Sequence, residues 1–153
     1  MTSEAALTSS AAREIAPHLF PERTPMTGAQ IEAGINVCLG IQRRATSFGK
    51  RPFAACLLAP DNETVLLMHQ SVDQVNHAET TLYWAHIGRV VYAASNEQLA
   101  ELTGPGNKEN FTMKWHTRDI LLDQQKDIEV IGPVETMDKI VMEESDQYWK
   151  TTR

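Results

Sequence analysis

Two apolar runs that follow each other closely constrain the fold of this chain more than any other feature. PFAACLLAP occupies residues 52–60 and TVLLMHQSV occupies residues 64–72, with Asp61-Asn62 between them. The first of them is a continuous apolar run bounded by proline, which is typical of a buried strand. Asp-Asn favours a tight turn. We therefore expect the two runs to form an antiparallel β-hairpin with a short loop.

The segment before the hairpin has helical periodicity. After Thr27, Ile31, Ile35, Cys38, Leu39 and Gln42 follow at helical spacing, and they predict a helix to about Ala45. After the hairpin, HAETTLYWAHIG (77–88) is apolar around much of its circumference and predicts a buried helix that ends at Gly88.

The second half of the chain alternates between the two patterns. We expect strands at 89–95 and 128–134, where β-branched residues are frequent, and helices at 117–125 and 135–150. Asn96 is expected to cap a short helix over 96–102. This order predicts an α/β fold, a three-layer α-β-α domain with a mixed sheet.

Length and composition indicate one globular domain. The chain has 153 residues, of which 42% are apolar and 22% charged. Residues 1–26, rich in Ala, Ser, Thr and Pro, are expected to be a flexible N-terminal extension to a domain over 27–153.

Charge and cysteine usage narrow the classes of partner and compartment. The net charge of −6 argues against broad nucleic-acid binding, which needs a basic face. The basic cluster at 43–51 is most simply a solvated helix end. No apolar stretch is long enough to cross a membrane, and residues 1–15 lack a secretory pattern. Cys38 and Cys56 suggest buried thiols of a reducing compartment. We therefore expect a cytoplasmic protein, and the sequence leaves open whether it also enters the nucleus.

The tripeptide His77-Ala78-Glu79 has two interpretations. Asn76 with Glu79 matches a capping box, in which Glu79 serves only the helix start and His77 has no chemical task. Alternatively, His77 presents an imidazole to a metal ion, and Glu79, two positions on, reaches a metal-bound water without binding the metal. A short motif taken alone favours the capping box.

The surroundings of the tripeptide resemble the CMP/dCMP-type zinc-dependent deaminases. The resemblance covers about residues 27–150 and rests on PFAACLLAP, TVLLMHQSV, HAETTL, YWAHIGRVVYAAS, IEVIGPV and the Tyr148-Trp149 ending. It implies a cytidine-deaminase-like fold and a hydrolase that releases ammonia from a nucleobase or nucleoside, with a purine such as guanine or adenosine favoured.

The resemblance also implies the residues of a site. His77 would be a zinc ligand, zinc would lower the pKa of a bound water, and Glu79 would carry its proton. Phe53 and Ala54 would contact the base, although Phe53 in such a run is more often a core residue. The stretch His69-Gln70-Ser71 stands where the family often has a substrate-binding Asn. Family members commonly form oligomers.

The chain departs from the family at the second half of the zinc site. The family continues into a strand and then Pro-Cys-x-x-Cys, whereas here Leu82 passes directly to Tyr83, and none of the seven prolines precedes a Cys. The domain therefore has an apparent internal deletion between Leu82 and Tyr83. We expect 89–95 to take the place of the lost strand in a four-stranded sheet.

Two expectations follow from this departure. Because a catalytic zinc site needs three protein ligands, we expect the chain to be impaired or inactive as a deaminase. Its alternative role is that of a non-catalytic isoform, an oligomer partner of a full-length deaminase. A zinc site rebuilt from other residues is the less favoured interpretation; its candidates are Cys56, His69, His86 and His116.

Overall fold

The chain is an α/β protein built of four helices and four short strands in the part that the structure describes. The computed structural model describes residues 14, 17, 23–71, 82, 84–85, 87–107, 110, 116–122, 124 and 126–151. The elements are, in order, α1 (Gly28–Ser47), β1 (Ala54–Leu58), β2 (Val65–Gln70), β3 (Arg89–Val91), α2 (Asn96–Thr103), α3 (Thr117–Ile120), β4 (Glu129–Ile131) and α4 (Met137–Trp149).

The chain is divided into two compact units. The first contains the described residues within 1–23, 77–90 and 115–130, and the second contains those within 24–76, 91–114 and 131–153. In the first unit, Arg23 donates from Nη1 to the carbonyl oxygens of Gly88 and Asp127, and its Nη2 lies 3.4 Å from Oδ2 of Asp127. In the second unit, the hairpin packs against α1, and α4 packs against both α1 and α2.

The first long helix confirms the sequence prediction. Thr27 caps α1 in a capping box with Gln30, whose backbone nitrogen lies 3.2 Å from the Thr27 hydroxyl. The buried face presents Ile35, Leu39, Gln42 and Ala45. These positions follow the predicted helical spacing, because a helix places residues three and four apart on one face.

The predicted hairpin is confirmed, and its turn is held by one carboxylate. β1 and β2 pair antiparallel from Ala54 opposite Gln70 to Leu58 opposite Val65. Asp61 accepts hydrogen bonds from the Thr64 hydroxyl at 2.6 Å and from the backbone nitrogens of Glu63 and Thr64. These bonds hold the pKa of the Asp61 carboxyl below its usual range.

The expected burial of β1 is wrong, since one of its faces is exposed, and β2 is exposed at every position except the last. Leu66, Leu67 and Met68 in β2 are 59%, 61% and 60% exposed. In β1 exposure alternates, since Cys56 and Leu58 are half-buried on the side of α1 while Ala55 and Leu57 are exposed. An apolar run predicts burial on both faces, but α1 covers only one face of this hairpin.

The expected four-stranded sheet is also wrong for the described residues. The strands there form two separate two-stranded sheets, β1 with β2 and β3 with β4. The β3–β4 pair is parallel: Glu129 donates to the Gly88 carbonyl, and Tyr92 donates to the Ile131 carbonyl. Both strands are shorter than predicted. Gly132, with φ 139°, takes the chain out of the extended conformation directly after β4.

Three helices differ in detail from the prediction. Ser95, not Asn96, caps α2. The Ser95 hydroxyl accepts a hydrogen bond from the backbone nitrogen of Gln98, and the backbone nitrogen of Ser95 donates to Oε1 of Gln98. α3 ends at Ile120, whereas the sequence pattern predicts a helix to 125. The Gln124 side chain bonds instead to both backbone groups of Ile128, at 2.8 and 3.0 Å. α4 begins at Met137, and its end agrees with the prediction to within one residue.

The main core belongs to the second unit. Its buried members are Ile35, Leu39 and Met137, and the half-buried residues around them are Ile31, Val91, Ala93, Val134 and Val141. α2 and α4 are further joined by a hydrogen bond of 2.9 Å from Gln98 to Asp138. The core therefore collects residues from three segments that are distant along the chain, within 31–39, 91–93 and 134–141.

Parts of two predictions lie outside the described residues. They are most of the extension over 1–26 and most of the helix over 77–88. Among the described residues, no helix has the length and apolar character needed to cross a membrane.

Candidate functional site

The two residues predicted to contact a base lie where β1 begins. Ala54 is the first residue of β1 and stands opposite Gln70, the last residue of β2. The backbone nitrogen of Ser71 donates to the Phe53 carbonyl at 2.9 Å. The structure therefore brings Phe53 and Ala54 together with Gln70 and Ser71, at the open end of the hairpin.

Phe53 combines the two interpretations that the sequence left open. Its ring lies 6.1 Å from the Trp149 ring, at an interplanar angle of 53°, and Trp149 is fully buried. Yet 38% of Phe53 is exposed. Phe53 thus packs one part of its ring on the core and presents the other at the surface, where a planar base could stack on it.

The predicted catalytic and metal-binding residues, Glu79 and His77, lie outside the described residues. Their roles stay predictions. His86, one of the residues considered for a rebuilt site, also lies outside, while the other three are described. His116 is an exposed residue that precedes α3, and His69 is an exposed residue of β2.

The structure brings the two cysteines together. Cys38 in α1 and Cys56 in β1 have their sulfur atoms 3.6 Å apart, with the Cys38 thiol as donor. The Cys56 thiol lies 3.7 Å from the Gly34 carbonyl oxygen, one helical turn before Cys38. Both residues are free thiols and half-buried, not fully buried as the sequence suggested.

The contact between the thiols changes their acidity in opposite directions. The hydrogen bond from Cys38 lowers the pKa of Cys56 to about 7, against an opposing effect of burial. The pKa of Cys38 is raised, because its proton is held by Cys56 and because burial disfavours a charged sulfur. Cys56 is therefore the nucleophilic member of the pair.

The described residues do not fit a three-ligand catalytic zinc site. No group of three His, Cys, Asp or Glu side chains within the described ranges is placed to hold a metal ion. Cys38 and Cys56 offer two sulfur donors. His69 stands opposite Ala55, next to Cys56 along β1. Since neighbouring strand residues point to opposite faces, its imidazole is directed away from the thiols.

A shallow polar cleft lies between the C-terminal parts of α1 and α4. It has a volume of about 280 Å³ and is lined by Gln42, Arg43, Thr46, Glu144 and Gln147. Arg43 binds Glu144 at 2.9 and 2.5 Å, which raises the pKa of the guanidinium. Phe53 and Ala54 do not line this cleft, so it is separate from the predicted base site.

No protein-family model, curated protein or solved structure matches the chain. What the coordinates define is the general α/β class, with one antiparallel and one parallel pair of strands among the described residues.

Sequence reasoning missed the pairing of the two thiols. A signal was present: Cys38 shares the helical stripe of Ile35 and Leu39, and Cys56 has the same parity in its strand as Leu58. Both cysteines therefore belonged to faces that pack together.

Proposed function

We propose that the chain is a deaminase-like protein, descended from the zinc-dependent nucleobase and nucleoside deaminases, with impaired or absent hydrolytic activity of its own. The observation that carries the proposal is a contrast between two parts of the chain. His77-Ala78-Glu79 follows the hairpin, as in the family that the sequence resembles, yet the only two cysteines lie upstream and contact each other.

The order of elements supports the proposed ancestry. The long helix α1, the antiparallel hairpin and the later strand β3 follow the order that the resemblance implies. Phe53 and Ala54 lie at the end of the hairpin from which the chain continues toward His77. The three-layer deaminase-like fold belongs to this same proposal.

The placement of the cysteines supports the loss of activity. The family takes two zinc ligands from Pro-Cys-x-x-Cys, after the His-Ala-Glu helix. Here Cys38 and Cys56 belong to α1 and β1, before it. Without those two sulfurs, His77 lacks the partners that would hold zinc and activate a water for Glu79.

Metal analysis and ammonia release test the activity. The purified chain is expected to carry far less than one zinc per molecule and to release no ammonia from guanine, adenosine or cytidine. Glu79→Gln should leave the background unchanged. Near-stoichiometric zinc that disappears in His77→Ala, with ammonia release that disappears in Glu79→Gln, would show that the chain is an active deaminase.

A separate test addresses ancestry. The genomic sequence between the codons for Leu82 and Tyr83 is expected to contain a segment that encodes a strand followed by Pro-Cys-x-x-Cys. Restoring that segment to the chain should restore both zinc binding and ammonia release. If the codons are contiguous, and a grafted segment from an active deaminase restores neither property, the ancestry is wrong.

A second candidate function is that of a non-catalytic subunit in oligomers with a longer deaminase chain. The observation that favours it is the exposure of Leu66, Leu67 and Met68, three consecutive apolar residues of β2. Exposed apolar strands are sites of association between chains.

Native mass spectrometry of a mixture tests this second candidate. The chain is expected to form mixed oligomers with the longer deaminase chain. The specific activity of the longer chain should fall in proportion to the fraction of the present chain in the mixture. A mixture in which the two chains stay in separate species, with unchanged activity, would exclude the role.

A further inference from the structure

The contact between α1 and β1 holds two thiols at a distance from which they can react with each other. The Cys38 and Cys56 sulfurs are 3.6 Å apart and are already joined by a hydrogen bond. A disulfide bond is about 2 Å long, so the sulfurs need to approach by only about 1.5 Å. Both side chains are half-buried, so a small reagent from solvent can reach them.

We propose that Cys38 and Cys56 form a redox-active dithiol site, which a small disulfide such as glutathione disulfide oxidises to an internal Cys38–Cys56 bond. The proposal is independent of deaminase ancestry. It rests on the geometry of the second unit alone, where both residues lie.

The reaction takes two exchange steps. The Cys56 thiolate attacks one sulfur of the small disulfide, forms a mixed disulfide and expels one thiolate of the reagent. Cys38 then gives its proton to water and attacks the Cys56 sulfur, which expels the second reagent thiolate. Two protein thiols are oxidised by two electrons in all, and one small disulfide is reduced to two thiols.

The groups around the two thiols indicate that Cys56 attacks first and Cys38 second. Cys38 donates toward Cys56, so Cys56 carries the developing negative charge and Cys38 keeps its proton. From β2, the residue opposite Cys56 is Met68, which is uncharged. From α1, the Gly34 carbonyl accepts the Cys56 proton in the thiol form. A half-buried, protonated thiol beside the thiol that reacts first is well placed as the resolving thiol.

The bond would fasten α1 to the hairpin. These elements touch closely, since a Cβ on Gly34 would lie 3.6 Å from Leu58 Cδ1. Linking two residues that are 18 apart removes conformational freedom from the unfolded chain. We expect the oxidised chain to melt about 5 °C or more above the reduced chain.

The test uses the full chain, reduced and then equilibrated with glutathione buffers of increasing disulfide fraction. The expected product is a monomer that has lost two hydrogen atoms, with both thiols unreactive and one cross-linked peptide joining Cys38 to Cys56. Cys38→Ser should instead stop at a single glutathione on Cys56, since the resolving thiol is absent. Cys56→Ser should react with glutathione disulfide at least about tenfold more slowly at neutral pH.

A second readout separates this pair from two independent thiols. Alkylation of Cys56 should follow a titration near pH 7 in the wild type. Cys38→Ala removes the donor and should move that titration upward, whereas Cys38→Ser keeps a hydroxyl donor and should move it less. Stable glutathione adducts on the wild type, disulfide-linked dimers, unreactive cysteines or a titration indifferent to residue 38 would each overturn the proposal.

Discussion

Trp149 is the largest fully buried side chain among the described residues, and it lies at the end of α4. Its ring meets Phe53 at 6.1 Å and Tyr148 at 5.0 Å, the latter edge to face. It therefore fastens the C-terminal helix to the beginning of the hairpin. No local pattern of the sequence distinguishes it from an exposed tryptophan.

We expect Trp149→Ala to lower the free energy of unfolding by about 3–5 kcal/mol, because it leaves a large cavity. Urea denaturation followed by circular dichroism measures the loss. Trp84→Ala is the matched control: Trp84 is 69% exposed, and Lys126 lies 4.9 Å from its ring centroid. That change should cost about 1 kcal/mol or less. Equal losses in the two variants would contradict the assigned burial.

Gly132 is a residue whose identity the backbone requires. Its φ is 139°, and a Cβ added there would overlap the Tyr92 carbonyl oxygen. We expect Gly132→Ala to destabilise the chain by about 2 kcal/mol or more, through backbone strain and displacement of Tyr92.

The control for that substitution lies in α1. Gly40 has open space around it, with nothing within 4 Å of an added Cβ. Gly40→Ala should stabilise the chain by about 0.5–1 kcal/mol, because alanine loses less freedom in a helix. Thermal melting of both variants checks the pair, and a destabilised Gly40→Ala or a neutral Gly132→Ala would show that the backbone differs.

Among the elements, β2 is the strand whose exposure differs most from what its apolar composition indicates. VLLMHQ has the composition of a buried strand, yet its burial pattern is exposed at every position except the last. An apolar, uncharged strand of this kind favours association with another chain.

We expect Leu67→Lys to weaken self-association of the chain without loss of stability, because the side chain is 61% exposed and its removal uncovers no cavity. Sedimentation equilibrium and thermal melting measure the two effects. Leu39→Lys, at a position 3% exposed, should by contrast unfold the chain. A wild-type chain that stays monomeric at the highest attainable concentration would contradict the prediction.

Helix caps and periodicity within one segment predict the bounds of an element well when contacts within that segment set those bounds. Thr27 and the spacing of Ile31, Ile35 and Leu39 predicted α1 closely, since capping and periodicity act within a few residues. The end of α3 was missed, because Gln124 bonds to Ile128 and competes with the helix in a way that propensity does not indicate.

The net charge of the whole molecule leads to an expectation about binding to nucleic acid. The net charge is −6, and members of the basic cluster are engaged within the chain. Arg43 binds Glu144, and the Arg44 guanidinium lies 5.7 Å from the Phe48 ring centroid. Two of the cluster's four basic residues therefore have partners within the chain.

We expect no retention on heparin at physiological salt and a dissociation constant for duplex DNA weaker than about 10⁻⁴ M. Chromatography and fluorescence anisotropy measure these properties. Glu144→Gln, which removes the carboxylate beside Arg43, should leave both unchanged to within about threefold, because one freed charge adds little. Salt-dependent binding by the wild type would contradict the assignment.

Some residues of the candidate site are predictable from the sequence and others are not. The resemblance implies that Phe53 and Ala54 contact a base, and the structure places these two residues beside Gln70 and Ser71. His77 and Glu79 rest on the sequence, since they lie outside the described residues. The dithiol was not predicted, because 17 residues separate its members and only the packing of α1 on β1 brings them together.

The general α/β class, the extent of α1 and the hairpin of β1 and β2 are predictable from the sequence, because caps, turns and periodicity act over short distances. Three features follow from long-range packing instead: β3 pairs with β4, β2 is exposed, and the Cys38 and Cys56 sulfurs lie 3.6 Å apart. Each of these depends on which faces of distant segments pack together, and a pattern within one segment specifies a face but not its partner.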